Sequence, residues 1–450
     1  MTSRARPLTR AGTLMLLAAL LVPPAAEAQT SATEAPAAPE PAAPATPVPA
    51  PTKPAPLFTL YGTFNVNAQL TQARGATSDG ADVEGRGAVS IDSSNLGVRG
   101  AYELPIGFSI VYQCETGASL DGINNASLCN RNSRVGFSSR YGTLFYGNWD
   151  TPFKTAIYGT KVDDPFTVTD VFGFAGVLSS PGFNYRSGGW VTGAATPVIG
   201  FDIRANNSIA YHSPVFAGLS VKLQYSVNEF KNASGTQDPA LYSASASYDV
   251  AGFSFIAAYE LHRDGFALVG INGDGDGPYT FGATAANTAG SATEAAHTSD
   301  VAWRVGAGYQ LDWAAGATTV GALYERLALE QDDAPVGALE KYERAAWQVS
   351  LKHRYEAWEL RARYSRADAG DATVVGGGGD ADDHGASNLA LGAAYFFAKS
   401  TQVYLQYAQI WNEDNARYTF PVGGAQAVVG PNTPAGADPV ALGLGVRHQF

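Results

Sequence analysis

The side chains that most often carry out catalysis are not grouped in this chain. The six histidines lack the spacing of metal ligands, and they are His212, His262, His297, His353, His384 and His448. The sequence contains no GxSxG nucleophile elbow and no phosphate-binding glycine loop. A hydrolase would need a paired serine and histidine, and nothing marks such a pair. Aspartates such as Asp332 and Asp333 could bind calcium, although a solvated loop is the simpler interpretation. We therefore expect no enzymatic activity, no cofactor and no metal.

Charged side chains in one long segment suggest a different chemistry. Residues 150–203 form the longest stretch without a strand pattern, and their ionisable residues include Asp163, Asp164, Asp170, Lys154 and Lys161. A loop of this length in a compact fold is usually functional. Ionised groups in such a loop act on a passing solute through their electric field. The alternative is that the aspartates only cap turns inside a folded loop.

The chain has two cysteines, Cys114 and Cys129, and we predict that they form a disulfide. Asp121-Gly122 lies midway between them, so a hairpin turning there would place the cysteines opposite each other. Closing a loop of about 15 residues stabilises a fold by around 3 kcal/mol in the chain-entropy account. The same symmetric register would put Arg131 on the same face of the sheet as Tyr112.

The N-terminus has the three parts of a secretory signal peptide. A region with three arginines is followed by an apolar stretch from Leu14 to Val22 and by the small-x-small sequence Ala26-Glu27-Ala28. The apolar stretch is too short to span a membrane as a helix. We predict that residues 1–28 are removed, so that the mature chain begins at Gln29. Export to an oxidising compartment favours the disulfide.

Residues 29–56 form a second segment of different composition. They are rich in Ala and Pro, with nine prolines between Pro36 and Pro56. Such a segment cannot bury a core, and it favours a disordered or polyproline-like chain. One interpretation is a solvated periplasmic leader. The other is a tether that contacts peptidoglycan.

The overall composition is acidic, with relatively few charged residues. Charged side chains make up 16% of the sequence and the formal net charge is −12. The signal peptide carries three Arg and one Glu, so its removal leaves −14. A strongly acidic surface argues against nucleic acid as a partner.

One strand pattern runs from Leu57 to Phe450 and defines the third domain, residues 57–450. Alternation at period two gives sixteen candidate strands, and it is clearest around Val221 to Val227. Seven of the connections are short turns and eight are long polar loops. A transmembrane barrel places its short turns on one side and its long loops on the other. We therefore predict an all-β fold, a transmembrane antiparallel β-barrel of about sixteen strands.

The chain ends on a strand with one apolar face. Leu442, Leu444 and Val446 lie on the face that continues to the terminal Phe450. Outer-membrane β-barrels of Gram-negative bacteria end in this way, and their assembly machinery recognises the terminal strand. We predict that Phe450 is the assembly signal and that the protein lies in the cell outer membrane. Its partners would then be the barrel-assembly machinery, membrane lipid and lipopolysaccharide.

Five short motifs, in order along the chain, resemble those of the trimeric general porins of Gram-negative bacteria. They are Leu60-Tyr61-Gly62-Thr63, residues 94–100, Asn130-Arg131 with Val135-Gly136-Phe137, residues 204–209 with Tyr211, and residues 445–450. The resemblance covers nearly all of residues 57–450, whereas the proline-rich leader is unusual for that family. It implies a sixteen-stranded barrel, a homotrimer, and a third loop folded into the lumen to form a constriction.

The resemblance also implies a pore wall that faces the third loop. In the family this wall is basic, and Arg99, Arg131 and Arg204 match its positions. Asn95 stands where the family usually has an arginine, and Glu115 is expected on the lumen side. The family pattern points Arg131 into the lumen, in conflict with the symmetric hairpin. With one arginine missing and a mature charge of −14, we expect a mild preference for cations.

The sequence therefore predicts a water-filled channel for passive diffusion of small hydrophilic solutes and ions. A substrate-selective channel for a sugar, phosphate or organic acid is one alternative, and an Arg/Tyr ladder along the lumen would mark it. The other alternative is a structural protein whose leader anchors the barrel to the cell wall.

Overall fold

The computed structural model describes residues 58–450 apart from 78–80, 92, 119–126, 168, 170–176, 183–199, 228–238, 266–296, 333, 335, 337–338, 378–381 and 421–432. The expected signal peptide, the Ala/Pro-rich leader and Asp170 lie outside the described residues. What the sequence suggests for these segments stays a prediction.

Strands make up nearly all the regular structure of the described residues. In chain order the elements are β1 (Thr59–Arg74), β2 (Val83–Ser90), β3 (Asn95–Glu103), β4 (Ser109–Gly117), β5 (Ser133–Ser139), β6 (Gly142–Asp150), α1 (Pro152–Thr155), β7 (Arg204–His212), β8 (Leu219–Val227), β9 (Ala240–Val250), β10 (Phe253–Arg263), β11 (Thr298–Trp313), β12 (Gly316–Gln331), β13 (Leu339–Tyr355), β14 (Trp358–Ala367), β15 (Asp371–Val374), β16 (Ala386–Ala398), β17 (Thr401–Asn412) and β18 (Asp438–Gln449). No helix among these residues is long and apolar enough to span a membrane.

The strands form one closed antiparallel sheet. Neighbours along the chain pair with each other, and β18 pairs back onto β1 with Leu442 opposite Leu70. β2 and β3 both pair with β1, so they are two segments of one spanning strand. β14 and β15 both pair with β13 in the same way. The fold is thus the sixteen-stranded all-β barrel that the sequence predicted.

The two faces of each strand differ in polarity. On β1 the side chains of Asn65, Asn67 and Gln69 are buried on the inner face, while Val66 and Leu70 are exposed on the outer face. Successive residues of a strand point to opposite sides, so the period-two pattern sorts polar groups inward and apolar groups outward. Buried arginines and carboxylates continue the inner face on β11 to β14.

The short turns lie at one end of the barrel. Ala251 and Gly252 connect β9 to β10, and both have positive φ, 46° and 84°. A two-residue hairpin turn of type I′ requires positive φ at both of its central residues. The candidate strands agree with the observed ones to within a few residues. The two interruptions were not anticipated: Ser93 has a φ of 53° between β2 and β3, and Gly370 has a φ of 88° between β14 and β15.

The symmetric hairpin register around the cysteines was wrong. Cys114 and Cys129 are joined, with Cα atoms 4.8 Å apart, yet β4 pairs with β5 so that Tyr112 lies opposite Val135. Cys129 has a positive φ of 59°, and the chain between it and β5 departs from regular pairing. This irregular stretch frees Arg131 from the face of Tyr112, and the Arg131 side chain reaches Glu115 on the inner face.

Candidate functional site

The third loop, residues 151–203 between β6 and β7, begins with the short helix α1. Thr151 caps this helix by accepting a hydrogen bond from the Lys154 amide at 3.3 Å. Phe153 is fully buried, and its amide donates to Ser243 Oγ on β9 at 2.9 Å. Ser243 is buried on the inner face of β9, so α1 packs against the inner face of the barrel.

Asp164, farther along the third loop, is bound to the inner face of the barrel at β14. It is buried and forms an ion pair with Arg363 on β14. Arg363 in turn donates to Asn388 Oδ1 on β16 at 2.7 Å. The Phe166 amide donates to Asp164 Oδ1 at 2.9 Å, so both carboxylate oxygens are used. A carboxylate compensated in this way contributes little net field to the lumen.

Asp163 has a different environment from its neighbour. Its carboxylate accepts hydrogen bonds from the Gly159 amide at 3.0 Å and from Thr167 Oγ1 at 2.9 Å. It forms no ion pair with any residue that the structure describes. Burial raises the pKa of Asp163 from 3.8 to about 6, although these hydrogen bonds act in the opposite direction.

The two lysines of the loop pair with carboxylates on strands. Lys154 Nζ lies 3.0 Å from Asp150 at the end of β6. Lys161 Nζ lies 2.9 Å from Asp249 on β9, and the Lys161 amide donates to Ser254 Oγ at 3.1 Å. The lysines and aspartates that are close in sequence therefore have separate partners.

A buried charge network binds the tip of the third loop. Glu325 on β12 lies 3.0 Å from Arg304 on β11 and 3.6 Å from Arg344 on β13, and all three side chains are buried. The Ser179 amide donates to Glu325 at 2.6 Å. Arg344 donates from Nε to the Ser180 carbonyl at 2.9 Å. We call Arg304, Glu325 and Arg344 the tip anchor.

The eighth loop, residues 413–437 between β17 and β18, contacts the same tip. The Arg417 amide donates to the Gly182 carbonyl at 2.9 Å. Tyr418 is 2% exposed, and a Cβ added to Gly182 would lie 2.3 Å from its ring. Gly182 has a φ of +80°, a left-handed conformation that favours glycine. The ring of Tyr418 therefore occupies the space that a side chain at position 182 would need.

Arginines line the inner face of β3 to β7, which we call the basic wall. Arg131 Nε donates to Glu115 Oε1 at 2.8 Å, and the Tyr61 hydroxyl donates to Glu115 Oε2 at 2.9 Å. The guanidinium carbon of Arg99 lies 4.7 Å from the centre of the Tyr61 ring. Arg99, Arg131 and Glu115, which were expected on the pore wall, thus cluster around Tyr61.

A second group on this wall surrounds Asp150. Arg204 Nη2 lies 3.1 Å from Asp150, and Asn132 Nδ2 donates to the same carboxylate at 2.8 Å. With Lys154, two cations and one amide share this carboxylate. Asn95 lies apart from the group, on β3, where its Nδ2 donates to the Ser93 carbonyl at 3.2 Å.

Several charged residues on the inner face were not singled out from the sequence. These are Arg134, Arg304, Glu325, Arg344, Arg361 and Arg363. Each lies in a strand, two residues from other inward-facing positions. A period-two assignment anchored on outward residues such as Trp303 and Val305 would have placed Arg304 on the inner face. Within the described ranges, no group of three or more His, Cys, Asp or Glu could hold a metal ion.

The amino-acid sequence is similar to those of known outer-membrane proteins. A family model described as Gram-negative porin matches residues 13–415. The major outer membrane protein P.IB of Neisseria lactamica is 23% identical over 347 residues, covering 76% of this chain and 85% of that protein.

Solved structures share the fold at lower identity. The anion-selective porin from Comamonas acidovorans is 20% identical, with a TM-score of 0.63, covering 87% of this chain and 99% of that one. In vitro folded OmpT, an outer membrane protein of Vibrio cholerae in trimer form, is 16% identical, with a TM-score of 0.54 and coverage of 87% and 99%. At these identities the likeness concerns the fold.

Proposed function

The chain belongs to the Gram-negative porin family and is an outer-membrane protein, and from this premise we propose how its barrel works as a channel. The channel passes small hydrophilic solutes and ions by passive diffusion. The single observation that carries the proposal is the polarity of the closed sheet, with apolar side chains outside and polar, ionised ones inside. In such a channel, selectivity depends on the width of the lumen and on its electric field. The proposal includes no enzymatic activity.

The third loop is proposed to narrow the lumen. Its described residues bond to inner-face side chains on several strands, including Ser243, Glu325, Arg344 and Arg363. These contacts support a loop that lies inside the barrel and packs against β9 to β14. The passage then runs between the loop and the basic wall.

The field across this passage is proposed to favour anions, which replaces our expectation of a mild cation preference. That expectation rested on the arginine missing at Asn95, on Glu115 in the lumen and on the charge of the whole mature chain, to which the loop aspartates contribute. Asp164 is instead paired with Arg363, and Asp150 is shared by two cations. Arg99 and Arg134, by contrast, form no ion pair with any described residue. Net charge facing the passage, and not the charge of the whole chain, determines which ions enter.

The partners expected from the sequence remain part of the proposal. A homotrimer is supported by the trimeric form of the structurally similar OmpT. Membrane lipid and lipopolysaccharide would contact the exposed apolar outer face. The barrel-assembly machinery would recognise the strand that ends at Phe450. Contact between the leader and peptidoglycan is proposed on composition alone.

Planar-bilayer recording tests the channel. Purified protein should give large ohmic current steps, and a potassium chloride gradient should produce a reversal potential of the sign expected for anion preference. Insertion without conductance would contradict the channel. A reversal potential of the opposite sign would contradict only the field assigned to the basic wall.

A further inference from the structure

Two apolar grooves adjoin each other on the outer face of the barrel. The first has a volume of about 570 Å³, and it is lined by the turn between β3 and β4 and by the start of β6. The second has a volume of about 390 Å³ and crosses β6 to β10. Leu144 on β6 and Tyr211 on β7 line both grooves, so the two grooves meet along this pair. Both volumes lie in the range of about 300–1,000 Å³ that is usual for ligand sites.

The first groove lies at the end of the barrel that carries the short turns. Leu104, Ile106 and Phe108 belong to the turn between β3 and β4, and Ile106 is 74% exposed. Gly142, at the start of β6, has a φ of +123°, and a Cβ added there would lie 2.8 Å from the ring of Tyr211. The missing side chain at position 142 therefore keeps this groove open.

The second groove rises from this rim along the outer face. Leu144 lies opposite Tyr211, which lies opposite Leu223, and Ala244 lies opposite both Leu223 and Tyr259. Counted from the short-turn end, Leu144 is the third residue of β6, whereas Tyr259 is the seventh of β10. At about 3.3 Å per residue, Tyr259 lies about 13 Å farther along its strand. The groove therefore leads from the rim into the hydrocarbon core of the membrane.

A cation stands at the rim beside the first groove. Arg140 lies in the turn between β5 and β6, and its guanidinium carbon is 4.6 Å from the ring centre of Tyr141. Arg140 Nη2 also donates to the Tyr141 hydroxyl, and Tyr141 lines the first groove. Arg140 is exposed, and it forms no ion pair with any residue that the structure describes. An anionic group at the mouth of the groove would therefore meet a positive charge without a carboxylate beside it.

We propose that the two grooves bind one phospholipid of the periplasmic leaflet, with its phosphate at Arg140 and the start of one acyl chain in each groove. The inference deepens the lipid contact of the proposed function, and it rests on the outer-membrane location and not on conduction. The short turns of such barrels face the periplasm, which assigns the leaflet. From the rim inward the site offers a cation, a branch at Leu144 and Tyr211, and two apolar grooves. A two-chain phospholipid has the same order of groups: an anionic head, a glycerol branch and two chains.

The test measures lipid binding by native mass spectrometry of the intact protein in detergent. Three added lipids are compared: phosphatidylglycerol has a phosphate and two chains, lysophosphatidylglycerol has one chain, and diacylglycerol has no phosphate. Phosphatidylglycerol should bind at least about tenfold more tightly than lysophosphatidylglycerol, because two buried methylene groups alone contribute that much. It should bind about tenfold more tightly than diacylglycerol, the scale expected for one hydrogen bond to a charged group.

Two substitutions separate the head subsite from the groove. Arg140→Gln should lower the affinity for phosphatidylglycerol about tenfold and leave that for diacylglycerol unchanged. Its matched control is Arg326→Gln, which removes an arginine toward the other end of the barrel. Ala244→Phe fills the second groove and should abolish the advantage of the second chain. Ala246→Phe, two residues away on the same face of β9 and outside both grooves, should leave that advantage intact.

Every other outcome contradicts the phospholipid site. Equal binding of one-chain and two-chain lipids, or an affinity for phosphatidylglycerol that Arg140→Gln does not change, would overturn it. Lipopolysaccharide bound in place of phosphatidylglycerol would overturn the assignment to the periplasmic leaflet. If Ala244→Phe dissociates an oligomer that binds no phosphatidylglycerol, the grooves are an interface between copies of this chain. If Arg140→Gln does not assemble, the comparison of phosphatidylglycerol with diacylglycerol on the unmodified protein decides the head subsite. Planar-bilayer conductance is measured separately, so a failure of the channel function remains distinguishable from a failure of the lipid site.

Discussion

The tip anchor gives the sharpest test of how the third loop is held. Glu325 is buried between Arg304 at 3.0 Å and Arg344 at 3.6 Å, and it accepts from the Ser179 amide at 2.6 Å. Glu325→Gln preserves size and one acceptor but removes the charge. Asp202, 3.1 Å from Arg304, then remains as the carboxylate bonded to the network. Removing one partner of a buried ion pair destabilises the folded arrangement by about 3–5 kcal/mol. The amide side chain that Glu325→Gln introduces keeps one hydrogen-bond acceptor, so we expect a value at the lower end of this range.

The lost free energy should destabilise the anchored state of the loop tip and not the barrel, because the sheet retains its backbone pairing. At 1.36 kcal/mol per factor of ten, about 3 kcal/mol raises the ratio of released to anchored tip by more than a hundredfold. Single-channel recordings of Glu325→Gln should therefore show more frequent current fluctuations than those of the unmodified channel. Hydrogen exchange at the Ser179 amide should accelerate in parallel.

Glu343→Gln is the matched control. Glu343 pairs with Arg326 at 2.8 Å on a partly exposed surface, where such a pair contributes about 0–1 kcal/mol. The same substitution there should leave the current trace unchanged. If both variants give identical fluctuations and exchange rates, the buried network does not hold the loop.

Four further predictions follow from individual residues. Asp163→Asn should abolish a pH dependence of the ion selectivity. Because the pKa of Asp163 is raised to about 6, its neutral carboxyl stabilises the loop at low pH, and this stabilisation is lost as pH rises through 6. The preference for anions should fall over the same pH range. Gly182→Ala should loosen the tip, because a Cβ would lie 2.3 Å from the ring of the eighth loop and left-handed backbone costs about 1–2 kcal/mol. Deleting Phe450 should deplete the protein from the outer membrane, because its amide and carbonyl both bond to Gly62 at 3.1 Å. Mass spectrometry of non-reduced peptides should recover Cys114 linked to Cys129.

Each of these has its own control. The pH titration of the reversal potential is repeated on Asp163→Asn, and a persisting shift near pH 6 would assign the effect to another group. Gly159→Ala has a similar positive φ but open space around it, so equal effects at 159 and 182 would exclude the ring contact. Phe450→Tyr keeps the aromatic ring, and normal membrane levels after deletion would make Phe450 an ordinary lipid-facing residue. Two free thiols would refute the disulfide.

Most of the fold could be predicted because the barrel is encoded locally. Alternation at period two and the unequal connections locate the sixteen strands, and both are visible in any stretch of the chain. The interruptions at Ser93 and Gly370 could not be predicted, because each depends on a single backbone conformation that the pattern does not record. Around Cys129, a positive φ likewise shifted the register away from the symmetric hairpin.

The candidate site was predicted less completely, because pairing across the barrel is a long-range property. The sequence identified Asp163 and Asp164 as neighbours with similar roles, yet one pairs with Arg363 and the other has its pKa raised by burial. Which carboxylate pairs with which arginine depends on where the third loop contacts the inner face of the barrel. Arg134 was not predicted as a site residue for the same reason. Its aromatic partners on β6 are adjacent to it only in the folded sheet.

The seam between β1 and β18 has a consequence for how the barrel is made. Gly62 and Phe450 exchange backbone hydrogen bonds although they stand at opposite ends of the described chain. Contacts of such sequence separation form slowly, because a large loop must close before they are gained. Until β18 is in place, the first strand has no partner for this edge, and an unpaired edge invites pairing with other chains. The free edge of β1 is therefore where an unclosed sheet of this protein would pair with another chain, and closure by β18 removes that edge.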